Sequence, residues 1–215
     1  MRVSNFIAFT DKKTNFTGTT TVSIESPEMP TPIGSNKIIS GNTLEFKLST
    51  EAGLTSSAFY NDGTIPNSGP LPQTIDKETT YTVHWTVANA FNDLRGVEVK
   101  SVLPIWTKWM NKVFPAKSGL EYNERTREII WNIERVQARA GINAPTVTIV
   151  FQVGLTPSED LFGKSPKILE NTTLKGTDTF TQEVINKKAP YLDTTLPEDK
   201  SIIDNLTRVI RVGDL

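Results

Sequence analysis

The fold turns on the stretch Thr79-Thr80-Tyr81-Thr82-Val83-His84-Trp85-Thr86-Val87-Ala88. Tyr81, Val83, Trp85 and Val87 alternate with Thr82, His84 and Thr86, and a period of two marks a strand with one face in a core and the other turned away from it. β-Branched and aromatic residues suit that pleated, half-buried surface. The same period returns at Thr146-Val147-Thr148-Ile149-Val150-Phe151-Gln152-Val153-Gly154-Leu155. There Val147, Ile149, Phe151, Val153 and Leu155 share the inward face, and the outer face is largely Thr and Gln.

Between these two runs lie shorter β-branched or aromatic segments at residues 97–103, 106–113 and 128–133, with weaker ones at 173–174 and 180–185. Turn signals separate them: Asn92-Asp93, Lys117-Ser118-Gly119, Asn123-Glu124, Gly141-Ile142-Asn143 and Lys175-Gly176. Residues 133–140 carry helix formers over only about two turns, too short for a stable isolated helix, and read as a loop or one short helix. Many short strands at this spacing predict an all-β, antiparallel immunoglobulin-like sandwich.

Upstream, residues 19–26 form another strand pattern that ends at Pro27, Pro30 and Pro32, a semi-rigid linker in composition. Leu44, Phe46 and Leu48 then alternate in a further strand, and residues 61–72 are dense in Gly, Pro and Asn, as a loop or second joint would be. The expected organisation has three parts. Residues 1–72 are strands of a neighbouring sandwich module plus the Pro-rich linker, 73–197 the sandwich, and 198–215 a C-terminal extension.

Hydrophobic residues make up 37% of the 215 and charged ones 22%, enough apolar material to fold. The net charge of −1, with no cluster of Lys or Arg, lacks the electrostatic footprint of a nucleic-acid partner. With no cysteine, disulfides and thiolate chemistry are excluded, and His84 is the one histidine. No apolar run reaches the ~18–20 residues of a membrane span, and the first residues do not read as a signal peptide. An extracellular location therefore requires an export signal beyond this chain.

Tyr81-Thr82-Val83-His84-Trp85-Thr86-Val87-Ala88-Asn89, a valine-rich strand ending in Leu103-Pro104, Trp131-Asn132-Ile133 running to Gly141, and the Phe151-Gln152-Val153 strand follow one another in a familiar order. Together they resemble the Ig-like repeat of bacterial cell-surface proteins, with its "vtYtitvtN", "dtLP" and "W-x-I-g-x-l-x-a-G" motifs. The likeness covers residues 74–155, and the flanking segments resemble a larger variant from small-genome, uncultivated bacteria. Glu134 departs from the pattern, standing where the repeat has Gly. The resemblance implies a tandem sandwich used as spacer, cell-wall or adhesive element. Its partners would be neighbouring Ig-like modules or envelope components, and it brings no catalytic set and no cofactor.

Few residues suggest chemistry. His84, with no second His or Cys to complete a ligand set, reads as an exposed strand residue. Asp62, Asp93 and Asp178 read as loop carboxylates without the spacing of a calcium loop, and Glu159-Asp160 as part of a capped turn. No G-x-S-x-G surrounds a serine. Trp85 and Trp131 fall on core faces. Trp106 and Trp109, flanking Lys108, have two readings: packing in a core or interface, and contact with a ligand such as a glycan. The expectation is a non-enzymatic structural or adhesive surface module, with a carbohydrate-binding module as the alternative.

Overall fold

The computed structural model describes residues 14–25 and 38–213. Its strands are β1 (Thr17–Glu25), β2 (Ile38–Lys47), β3 (Ala52–Phe59), β4 (Thr79–Asn89), β5 (Leu94–Val102), β6 (Thr107–Phe114), β7 (Leu120–Asn123), β8 (Glu128–Val136), β9 (Val147–Leu155), β10 (Lys167–Leu169), β11 (Thr172–Asp178), β12 (Val184–Ala189) and β13 (Leu192–Asp193). Two sheets face each other, one ordered β3-β4-β9-β6 and the other β12-β11-β5-β8-β7, with all pairs antiparallel. Two-stranded pairings β1-β2 and β10-β13 complete the described strands. The architecture is an antiparallel, immunoglobulin-like β-sandwich, as the alternation predicts.

The predicted inward residues form its core. Tyr81, Val83, Trp85 and Val87 of β4 and Ile149, Phe151, Val153 and Leu155 of β9 are all without exposure, packed against Val97, Val99, Ile129, Trp131 and Leu174 of the other sheet. Each such side chain contributes about 1.5–3 kcal/mol by leaving water, set against the entropy of ordering it.

The outer face of β4 and β9 differs from the expectation. Thr82 and Gln152 are also fully buried, because residues 61–74 fold back across that face. Asn67 donates from Nδ2 to Tyr60 O at 2.9 Å and to Thr82 Oγ1 at 2.9 Å, while Gln152 Nε2 donates to Pro66 O at 2.9 Å and Asn67 Oδ1 at 2.8 Å. Gly69 makes the close approach possible: its φ is +107°, and a Cβ there would lie 2.3 Å from Glu78 O. The Gly- and Pro-rich stretch is thus an overlay on the sheet, and its turn residues serve to route it back.

Both boundaries of the sandwich extend beyond 73–197. Strand β3 pairs with β4 along its whole length, from Ala52↔Asn89 to Phe59↔Thr82, so the sandwich begins at Ala52. The segment after residue 197 is bound into it as well. Ile75 N and Ile210 N donate to Ile210 O and Gln73 O, Val209 is buried, and Asp199 Oδ2 accepts from the N–H groups of Tyr60 and Asn61 at 2.9 and 2.8 Å.

Residues 133–140, read as a loop or one short helix, hold no helix: β8 runs to Val136, and a turn follows, pinned by Asp93 accepting from Ala138 N at 2.7 Å. Two local expectations change. Lys175-Gly176 lies inside β11 and is no turn. A Cβ on Gly176 would meet Val97 Cγ2 at 2.9 Å, so the glycine serves the approach of β11 to β5. The segment 180–185 becomes strand only from Val184, because Asp178 Oδ1 accepts from Phe180 N and Thr181 N and holds a turn there.

β1 and β2 form a ribbon in which Gly18 pairs with Phe46 and Thr20 with Leu44. The alternation of Leu44 and Phe46 gives the ribbon one apolar face, yet Leu44 is 66% exposed, Phe46 54% and Val22 66%. The expected linker prolines Pro27, Pro30 and Pro32 lie outside the described residues.

Candidate functional site

Of the four tryptophans, Trp85 and Trp131 are core residues, and each indole N–H is used: Trp85 donates to Ser56 Oγ at 3.1 Å and Trp131 to Ser118 O at 2.8 Å. Trp106 sits in the turn before β6, packs against the core and donates to Lys167 O at 2.7 Å. Lys108 is exposed on β6. Trp109, on the opposite face of that strand, stacks on Tyr122 of β7 with ring centroids 5.5 Å apart and planes at 20°, and meets Phe151 at 5.6 Å. The three residues singled out from sequence therefore do not gather on one surface.

Trp109 borders a groove that the other two do not line. β6 and β7 are the edge strands of opposite sheets, so this flank of the sandwich is closed by the Trp109–Tyr122 stack and not by a paired strand. β6 also bulges: its register with β9 shifts between Trp109 and Val113, and Asn111 takes a left-handed φ of 55°. A bulge re-aims side chains and blunts an edge against further pairing. The resulting open groove has a volume of about 570 Å³, with Trp109, Val113, Leu120 and Tyr122 in its floor and Asn111, Ser118 and Glu124 among its polar lining.

Asp62 and Asp178, expected as loop carboxylates, are fastened into the fold with their side chains buried, and so is Asp199, which the sequence does not single out. Asp178, without exposure, sits where the two-residue alternation of β11 points inward, after Leu174 and Gly176. Its Oδ2 accepts from Thr50 N at 2.7 Å and Asn92 Nδ2 at 2.8 Å, while its Oδ1 holds the turn that follows. Asn92, also fully buried, ties the ribbon to this point by accepting from Asn15 N at 3.0 Å and donating to Leu48 O at 2.8 Å. Asn89 joins the cluster, accepting from Thr50 Oγ1 and donating to Asn92 O, each at 2.6 Å. Four backbone segments thus converge on one polar knot.

The other two carboxylates fasten loops. Asp62 accepts from Thr64 N and Ile65 N and pairs with His84 Nε2 at 2.6 Å. His84 is therefore half-buried and partnered, where an exposed strand residue was expected. Asp199 joins Tyr60 and Asn61 to the C-terminal segment.

Burial opposes charge on all three carboxylates, but hydrogen bonds outweigh it and hold each below the ordinary aspartate range. For Asp178 these come from the Asn92 amide and the N–H groups of Thr50, Thr181 and Phe180. For Asp62 they come from Ile65 N, Thr64 N and His84. For Asp199 they come from the side chain and N–H of Ser201 and from Asn61 N and Tyr60 N. A lowered folded-state pKa contributes stability that is complete above the unfolded value of 3.8 and is lost as pH falls through the folded value. Denaturant midpoints are accordingly expected to be flat near neutrality and to drop steeply below about pH 4. Asp178→Asn should flatten that drop, and an unchanged acid slope would show that Asp178 is not among the groups responsible.

Among the described residues no three His, Asp or Glu side chains cluster as a metal site would require. Among the same residues no helix is long and apolar enough to cross a membrane. Fold and site together define a filled Ig-like sandwich whose buried carboxylates fasten loops and whose Trp109–Tyr122 groove lies on an open flank. No protein-family profile matches the chain, and no curated protein matches it. Among solved structures it is similar to BcpA, the major pilin subunit of Bacillus cereus, at 8% identity and a TM-score of 0.41, covering 71% of this chain and 49% of that one. It is also similar to the full-length major pilin SpaD from Corynebacterium diphtheriae, at 11% identity and a TM-score of 0.41, covering 67% of this chain and 35% of that one. The chain spans about half the length of the first.

Proposed function

We propose that this chain is a non-enzymatic structural or adhesive module of a bacterial cell-surface protein, set beside neighbouring Ig-like modules of the same polypeptide or other envelope components. The knot around Asp178 carries this reading. It fixes the β1-β2 ribbon, the start of β3, the β4-β5 turn and the β11-β12 turn to one another through buried hydrogen bonds. A joint made this way bends little and passes tension from one side of the sandwich to the other, as a spacer must.

The exposed apolar face of the ribbon supports the second half of the reading. A two-stranded ribbon is marginal alone in water, and a sheet face of this kind is normally completed by further strands. On this proposal the ribbon belongs to the strands of an adjoining module, and the protein works outside the cell. Antibodies raised against the sandwich, applied to intact and to permeabilised cells of the source organism, test it directly. Labelling of intact cells is the expected result, and labelling confined to permeabilised cells would exclude a surface role.

A further inference from the structure

The geometry points to a saccharide subsite in the groove between β6 and β7, with Trp109 and Tyr122 as its aromatic wall and Asn111, Ser118 and Glu124 as its hydrogen-bonding rim. This goes beyond the structural role proposed above and does not depend on it.

Three observations carry the inference. First, at about 570 Å³ the groove falls within the ~300–1,000 Å³ typical of small-molecule sites. Second, it combines two kinds of surface. Trp109 and Tyr122, half-buried and stacked on each other, present apolar, polarisable area where they border the groove, against which the C–H groups of a pyranose can pack. Around them stand an amide, two hydroxyls and a carboxylate, from Asn111, Ser118, Tyr122 and Glu124, which suit the alternating donors and acceptors of sugar hydroxyls. Third, these four side chains make no hydrogen bond to any described residue, so their polar atoms remain free for a ligand. Elsewhere the polar groups at turns are committed to the fold, as at Asp62, Asn67 and Asp178.

Charge narrows the ligand class. Glu124 is the one carboxylate among the groove's lining residues, and no Lys or Arg is among them. Phosphorylated, sulfated or uronic sugars would meet an unpaired carboxylate there and no cation. A neutral hexose or N-acetylhexosamine fits.

The test begins with the full chain on a glycan array and continues by titrating free glucose, galactose, mannose and N-acetylglucosamine oligomers against it by NMR. The expected result is binding to a neutral saccharide that perturbs residues 109–124. Asn111→Gly combined with Glu124→Gln removes both polar groups from exposed positions, and glycine accepts the left-handed φ of 55° at residue 111, so the fold is kept. This double variant is expected to weaken binding at least tenfold, about 1.4 kcal/mol. Lys108→Ala should bind as the wild type does. Absence of binding across the panel, or binding that survives the double variant, overturns the assignment.

Discussion

Asp178→Ala is expected to destabilise the sandwich by about 3–5 kcal/mol, because it strips acceptors from several donors at once and leaves some of them buried. Thr50 N and Asn92 Nδ2 both point at Asp178 Oδ2, and Asn92 itself has no exposure. A buried donor without a partner costs roughly 1–3 kcal/mol, and two such losses precede any count of the turn held by Oδ1. For a chain of this size each kcal/mol lowers the melting temperature by about 2–4 °C, so a fall on the order of 10 °C should be seen by calorimetry. The location of the damage is equally specific. The ribbon is moored to Asn92, so protease cleavage between β2 and β3 should rise before the core opens. A loss below about 1 kcal/mol would mean that neighbouring groups replace the carboxylate, and the picture of a rigid joint would then fail.

Tyr81, Val83, Trp85 and Val87 show how much of this was legible beforehand. Alternation identifies an inward face because strand geometry fixes it locally, and that inference needs no knowledge of the partner sheet. Thr82 and Gln152 show its limit. Their burial comes from residues 61–74, and a stretch rich in Gly, Pro and Asn announces turns without saying which surface the chain returns to. Gly176 makes the same point from the other side, since a glycine for close approach and a glycine for a turn look alike in sequence.

Asp178 was legible in principle. It continues the inward series of Leu174 and Gly176, and a carboxylate at a core position calls for donors. The aromatic groove was half legible. Trp109 was singled out, but Tyr122 lies on a strand of the opposite sheet, and no pattern within either strand brings the two together. Leu44 and Phe46 alternate as core residues do, while the exposure of their face depends on what lies against it.

Trp85→Ala is the second large effect expected, at about 3–5 kcal/mol, the range for removing a fully buried aromatic side chain from a close-packed core. Trp85 has no exposure, crosses Phe151 edge-on with centroids 4.9 Å apart, and gives its indole N–H to Ser56 Oγ on β3. Against a total stability of about 5–15 kcal/mol for a domain, such a loss leaves the native state marginal. Trp106→Ala is the internal control. That ring is half-buried at a turn, so its loss should cost less, and an equal cost from both would contradict the assignment of Trp85 to the centre of the core. The consequence reaches the flank. Phe151 touches both Trp85 and Trp109, and Trp109 in turn stacks on Tyr122, so a cavity at Trp85 removes the support behind the groove. Trp85→Phe retains a ring against Phe151 and should preserve saccharide binding at a modest cost in stability. Trp85→Ala should weaken that binding even at temperatures where the chain is still folded, because the aromatic wall is positioned from inside the core.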